Sequence, residues 1–287
     1  MPPSPDKYPY HHPLDSFLFP VRSVNQKKLA EAVSGKTILI TGASFGIGAE
    51  LAVRISHYPV TLVLVARTKE KLEEIKKQCG EKAVVQIYNT DLRDETAVNE
   101  LITGLKVKEI TVDILISNAG HSIYRKLADS LNRFHDTKRS SAVNFTGPVQ
   151  LILGVLPGLT EKKGIVVNVS TVSLFLPHTA GWSAYHSSKA AFDHWLRCAE
   201  PEMKATGVSL CQVYLPLVRT RMSMIVEENH KRPAMSSAKA ADVILHSIIR
   251  RRRKYRPWCI VIPRILDILA PDLWYRIQQN RLKNRKT

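Results

Sequence analysis

Six short runs of the chain are apolar from end to end and rich in β-branched residues. They are "KTILITG" from Lys36, "VTLVLVAR" (60–67), "AVVQIYNTD" (83–91), "VDILISNAG" (112–120), "GIVVNVS" (164–170) and "VSLCQVYLP" (208–216). Strands without polar alternation have no face to spare for water, so both faces must be covered. The intervening segments supply the covers. "TKEKLEEIKKQCG" (68–80) reads as a helix closed by Gly80, and 140–159 as a long apolar helix. Strands alternating with helices predict an α/β chain with a doubly wound parallel sheet. Ahead of it, residues 1 to about 24 read as an extended arm and 25–34 as a short helix ending at Gly35.

Directly after the first strand stands "TGASFGIG", which opens the helix "GAELAVRISHY". A tight strand-to-helix turn needs left-handed backbone and bare Cα atoms where a pyrophosphate approaches, and the helix N-terminus offers it free N–H groups. In the first βαβ unit this arrangement marks a Rossmann dinucleotide site, with Gly42, Ser44, Gly46, Ile47 and Gly48 as its candidate residues. The second strand then chooses the cofactor. NAD sites place an acid at its end for the ribose 2′-OH, whereas NADP sites use an arginine for the 2′-phosphate. Here the strand ends in Arg67 with no acid, so NADP(H) is expected over NAD(H).

In "GWSAYHSSKAAFDHW" (181–195), Tyr185 and Lys189 lie four apart and share one helix face. A cation beside a phenol favours the phenolate, which is how a tyrosine with an ordinary pKa of about 10 becomes a working acid or base.

The glycine turn, "SNAG" (117–120), "AVNFTG" with Asn144, "VNVST" (167–171) and "YHSSKAA" stand in the order and spacing of the short-chain dehydrogenases/reductases. The chain resembles that family over roughly residues 35 to 250. A narrower likeness in "YLPLVRTRM" and "VSTVSLFLPHTAGWSAYHSSKAAFDHW" is to the fatty acyl-CoA reductase-like members. The resemblance implies that Tyr185 is the general acid, and that Lys189 lowers its pKa and holds the nicotinamide ribose. It further implies that Asn144 positions a water in the proton relay and that Asp91 lies near the adenine. Asn118, Ala119 and Gly120 would pass beneath the cofactor, with Val218 and Thr220 at the carboxamide. Two positions depart from the pattern. The family's serine thirteen residues before the tyrosine is Val172 here, so Thr171 is favoured as the carbonyl donor, with Ser170 close behind and Ser173 a neighbour. Pro216 also falls where the family usually has glycine.

Substrate specificity in such a fold is expected from 219–237, where Met222, Met224, Ile225 and Met235 would give an adaptable apolar lining. Forty-two Lys and Arg against 25 Asp and Glu leave a net charge of +17, which favours acidic partners. Much of it is in 250–287, where "RRRRKYRPW" precedes apolar residues, Trp258, Trp274 and more cations. That composition suits a helix in an anionic membrane interface; a solvated charge run beside a docking or dimer helix is the other reading. No nucleic-acid motif accompanies the basic block, and nucleic acid is not expected.

The four cysteines have no C-x-x-C spacing and the N-terminus does not read as a signal peptide, so a reducing cytoplasm is expected, with peripheral membrane contact. No run approaches a membrane span, and no metal is expected, His11 and His12 reading as solvated. The expected organisation is 1–34 as arm and short helix, 35–249 as the NADP-binding catalytic domain, and 250–287 as a basic amphipathic extension. The function expected is NADPH-dependent reduction of a hydrophobic carbonyl compound, of fatty acyl-CoA or long-chain aldehyde type, by a homo-oligomer (dimer or tetramer). The alternatives are a ketone/alcohol oxidoreductase acting on 3-oxoacyl, sterol or polyketide-like compounds, and a non-catalytic NADP(H)-binding scaffold at a membrane.

Overall fold

The structure is a computed structural model that describes residues 12–177, 179–226 and 229–284. His11, the N-terminal part of the expected arm and the last three residues of the basic extension lie outside them. The chain begins with α1 (Asp15–Leu18) and α2 (Gln26–Val33), whose cap residue Asn25 accepts from the Lys28 amide. The Rossmann unit then runs β1 (Thr37–Thr41), α3 (Gly46–Ile55), β2 (Thr61–Ala66), α4 (Lys69–Gln78), β3 (Val84–Asn89), α5 (Glu95–Val107) and β4 (Ile114–Ser117). It continues through α6 (Phe134–Ser141), α7 (Gly147–Glu161), β5 (Ile165–Thr171), α8 (Ser183–Ala205) and β6 (Ser209–Leu215). After it come β7 (Val218–Arg219), β8 (Met235–Ser236), α9 (Ser237–Arg250), β9 (Lys254–Tyr255), α10 (Val261–Leu269) and α11 (Pro271–Asn284).

Seven strands form one parallel sheet in the order β3-β2-β1-β4-β5-β6-β9. The chain winds outward from β1 to β3, then returns to β4 on the other side of β1. The carboxyl ends of β1 and β4 therefore flank the point where the winding reverses, which is where open α/β sheets bind ligands. Successive strand residues serve opposite faces. Ile38, Ile40, Leu62, Ile116 and Val167 pack with α2, α3 and α9 on one side. Leu39, Val63, Leu115, Val166 and Leu210 pack with α5, α7 and α8 on the other.

Three features depart from the sequence reading. The arm is not wholly extended: α1 forms within it, and Phe19 and Val24 enter the core. The helix expected from 140 begins at Phe134 and runs through a π-turn, Ala142–Thr146, into α7. Among the described residues, Phe134–Glu161 is also long and apolar enough to cross a membrane, contrary to expectation. Its Leu151, Ile152, Val155 and Leu159 are, however, taken up by the core.

The third departure is the basic block, which is not a free charge run. β9 lies inside it and pairs with β6 through Gln212 and Val213. Arg251 donates to the Lys163 carbonyl and Ser209 Oγ, Arg253 pairs with Glu200, and the Arg256 guanidinium sits 4.0 Å from the Phe175 ring centre. A two-residue strand among arginines carries no periodicity to reveal it.

Candidate active site

The glycine turn is built by exclusion. Gly42 has φ +68 and its amide donates to the Val65 carbonyl at 2.8 Å. A Cβ on Gly42 would come within 2.9 Å of Ala119 Cα, and one on Gly48 within 2.3 Å of the Gly42 carbonyl oxygen. The cap residue of α3, Phe45, is extended and caps nothing with its side chain, so the first N–H groups of the helix are left for a ligand. Ser44 and Ile47 sit half-buried on the same turn. From β4, Asn118 donates through Nδ2 to the Thr41 and Gly42 carbonyls at 3.1 and 3.3 Å. The amides of Asn118 and Ala119 both donate to Thr41 Oγ1 at 3.0 Å. A backbone cradle without side chains beside an uncapped helix start fits a dinucleotide pyrophosphate.

Arg67 follows β2 and is exposed. Its charge reaches Asp91, whose carboxyl is raised by burial but more strongly lowered by the hydrogen bonds and charge of Arg93, and by Arg67, so that it ends below its ordinary value. Burial, then the charges of Arg139, Arg67 and Arg93, hold the His121 imidazole below its usual range. Cations thus collect along this side of the cleft.

The second group stands at the end of β5 and the start of α8. The Thr171 hydroxyl lies beside the Tyr185 phenol and acts to lower its pKa. Ser173 continues the chain, its Oγ 3.0 Å from Thr171 Oγ1. Ser170 points to the opposite face of the strand, where its buried hydroxyl has no partner among the described residues. Val172 turns into a small apolar cluster with Tyr214 and Ile260. Lys189, one turn along from Tyr185, is buried and donates to the Val169 carbonyl at 3.2 Å.

The electrostatics correct one expectation. Burial pushes the Tyr185 phenol up to about 12, with the Thr171 hydrogen bond opposing it, and pushes the Lys189 ammonium down to about 8. The phenol stands above its ordinary value rather than below it, because desolvation penalises the charged forms of both groups. The phenol is therefore held as an acid.

The Asn144 side chain is tied into the fold at three points. Its Oδ1 accepts from the His121 amide at 2.8 Å, and its Nδ2 donates to the His121 carbonyl at 2.8 Å and to Ser188 Oγ at 2.9 Å. With both amide protons committed, the side chain clamps the end of the 118–121 turn onto α8. A Cβ on Gly120 would sit 3.4 Å from Asn144 Oδ1 and 3.6 Å from Lys189 Nζ, so these three positions are brought together.

Sequence reasoning passed over an aromatic wall beside the phenol. Trp182 lies 5.9 Å from Tyr185 and 5.4 Å from Tyr124 between ring centres. Gly181, at φ +85, brings the chain so close to Tyr124 that a Cβ would meet its ring at 2.5 Å. The signal available was the pair "GW" just ahead of the tyrosine motif, which lacks any helical periodicity.

The substrate loop is only partly the lining expected. Met235, in β8, and Met224 are 1% and 5% exposed and pack beneath the loop, while Met222 and Ile225 remain exposed. Glu227 and Glu228 lie outside the described residues. Val218 is buried, and Thr220 is tied to Ser223 Oγ through its amide at 3.1 Å. The loop rests on the glycine turn, where a Cβ on Gly46 would come within 3.1 Å of Thr220 Cγ2. Its shape is set from the N-terminus, because Asp15 accepts from Arg219 Nη1 and from the Ala234 amide, each at 2.8 Å.

Residues 36–231 match the family model for short chain dehydrogenases. A fatty acyl-CoA reductase of Acinetobacter baylyi is 38% identical over 247 residues, 85% of this chain and 83% of the relative. A fatty acyl-CoA reductase of Mycobacterium tuberculosis is 34% identical over 251 residues, 87% and 85% of the two chains. Among solved structures, a short-chain dehydrogenase from Sphingobium yanoikuyae in complex with NADPH superposes with a TM-score of 0.72 at 27% identity, covering 84% of this chain and 95% of that one.

Proposed function

This chain belongs to the short-chain dehydrogenase/reductase family and is an oxidoreductase, and from that premise we propose that it uses NADPH to reduce the carbonyl of a fatty-acyl substrate, acyl-CoA or long-chain aldehyde. The observation that carries the proposal is the Thr171 hydroxyl placed beside the Tyr185 phenol, with the Lys189 ammonium buried one helical turn away. A reduction consumes a proton at the carbonyl oxygen, and a protonated phenol beside a hydroxyl donor can supply it. The acyl substrate class is supported by the two fatty acyl-CoA reductases at 38% and 34% identity.

The glycine turn would hold the pyrophosphate, and Arg67 the 2′-phosphate. Bound there, the nicotinamide supplies the hydride. The protein's own groups do the rest. Thr171 donates to the carbonyl oxygen and orients it toward Tyr185. Tyr185 gives up its proton as that oxygen gains electrons, and the Lys189 charge lowers the cost of the phenolate left behind. Asn144 keeps 118–121 against α8, and Trp182 with Tyr124 offers an apolar wall to the chain of the substrate. Starting from a thioester, loss of CoA thiol after reduction gives the aldehyde.

Tyr185→Phe removes the proton and little else. Turnover should fall by about a thousandfold, within the span general acids contribute, while the dissociation constant for NADPH stays near wild type. Appreciable residual turnover would refute the role. NADPH oxidation over acyl-CoAs, aldehydes and ketones, with thiol release followed, assigns the substrate: turnover of ketones alone, without thiol, ends the acyl reading. The proposal extends to a cytoplasmic dimer or tetramer joined through α7 and α8, with residues 250–287 at an anionic membrane surface. A monomer mass by light scattering would remove the oligomer.

A further inference from the structure

α10 is almost wholly apolar, yet none of its nine residues is buried. Val261, Ile262, Ile265, Leu266, Ile268 and Leu269 are each between 49% and 75% exposed. Contiguous apolar surface of this kind on a folded protein marks a docking site. The helix also has neighbours of the same character. Phe17 of α1, itself exposed, meets Trp258 edge-on with ring centres 5.4 Å apart. Arg264 of α10 lies over Phe175, 5.5 Å from its centre and four residues beyond Thr171. Through Asp15, α1 is bound to both ends of the substrate loop, whose Ile225 is 74% exposed. Three pieces far apart in sequence thus present exposed apolar side chains and are linked to one another or to the strand end that carries Thr171.

We propose that α1, α10 and the exposed part of the 219–237 loop form one surface that docks on an anionic lipid bilayer, with the entrance to the Tyr185 site turned to the lipid. The charge distribution selects this occupant. Residues 250–287 carry twelve Lys and Arg against two Asp. In a two-fold contact between copies of this chain, that cationic set would face itself. Anionic headgroups instead neutralise it while the apolar side chains enter the acyl boundary. Trp258 and Tyr275 are the amphipathic rings that settle at that depth. A substrate with a long acyl chain would then pass from bilayer to cleft without crossing water. The proposal rests on the acyl-substrate reading for what passes, but not for the docking itself.

The test uses the full chain with vesicles of phosphatidylcholine alone or mixed with phosphatidylglycerol, measured by co-sedimentation at low and high salt. The wild type should bind the anionic vesicles, release with salt, and ignore the neutral ones. Ile265→Glu/Leu269→Glu and, separately, Phe17→Glu should each lower the partition coefficient by about tenfold, with unchanged circular dichroism. Three results overturn the proposal. They are absence of binding by the wild type, binding of Phe17→Glu equal to wild type, and loss of a dimer by light scattering in the α10 variant, which would make this face a contact between copies. Docking by a protein that reduces no acyl compound would overturn the function reading instead.

Discussion

The turn between β1 and α3 and the loop between β6 and α9 meet across the cleft, and they are held in opposite ways. The turn takes its shape from what is missing: Gly42 and Gly48 have no Cβ, and adding one meets backbone at 2.9 and 2.3 Å. The loop takes its shape from what is added. A buried ion pair between Asp15 and Arg219 joins residues 204 positions apart. The two regions touch where Gly46 faces Thr220 and where the Arg221 guanidinium lies 4.8 Å over the Phe45 ring. A geometry fixed by excluded atoms is complete within a few residues, whereas one fixed by a remote side chain depends on the rest of the fold.

Cutting the remote tie is the largest perturbation. Asp15→Ala would leave the Arg219 guanidinium without its acid, and Nη2 of that group already has no partner among the described residues. Removing one member of a buried pair costs about 3 kcal/mol or more, which chemical denaturation will show. The comparison predicts a second effect: kcat/KM for the carbonyl substrate falls while NADPH affinity holds. Equal losses in both would mean that the loop and the turn are one unit.

Gly48→Ala attacks the other side. The new Cβ meets a backbone carbonyl rather than a flexible tip, so the turn itself must move. Overpacking of this kind costs about 1–3 kcal/mol, or roughly tenfold to a hundredfold in NADPH affinity. Titration by nucleotide fluorescence should find that loss, with little change in the KM for substrate in the protein that does bind. Arg67→Ala is milder and more selective. Loss of a charge-assisted contact should weaken NADPH by some tens of fold and leave NADH nearly unchanged. An equal effect on both nucleotides would remove Arg67 from the 2′-phosphate.

The same contrast explains what the sequence made legible. The β-branched runs fixed six of the seven sheet strands, and the glycines marked the phosphate turn, because each signal sits beside the geometry it produces. Tyr185, Lys189 and Thr171 are brought to one place as their motif order implies. What escaped was non-local. Met235 looked like a pocket residue until β8 paired with β7 and drew it into the core. The partners of Arg253 and Arg256 could not be read from the basic run, because Glu200, Phe175 and Tyr214 lie 42 to 81 residues upstream. The hold of the Asn144 side chain on His121 and Ser188 also has no local signal. The physical state of the phenol was equally invisible, since desolvation depends on everything packed around it.

That desolvation yields the smallest effect and the sharpest one, because it acts with opposite sign on activity and on stability. With the Lys189 pKa lowered to about 8 by burial and the Tyr185 phenol up to about 12, the first group to change on raising the pH is the lysine. The kcat/KM for reduction, which reports the free enzyme, should decline above about pH 8 and stand roughly tenfold lower at pH 9 than at pH 7. Stability moves the other way. Lys189 has an ordinary value of 10.5, so between about 8 and 10.5 the unfolded chain binds more protons than the folded one. In that window this residue's contribution to stability rises with pH. Lys189→Met removes the buried charge and its penalty together. The variant should be inactive yet more resistant to urea than wild type at pH 7, and the difference should shrink as the pH approaches 10. A wild-type alkaline limb set instead by a group near 10, with no stability gain from Lys189→Met, would mean that the ammonium is solvated in the working enzyme.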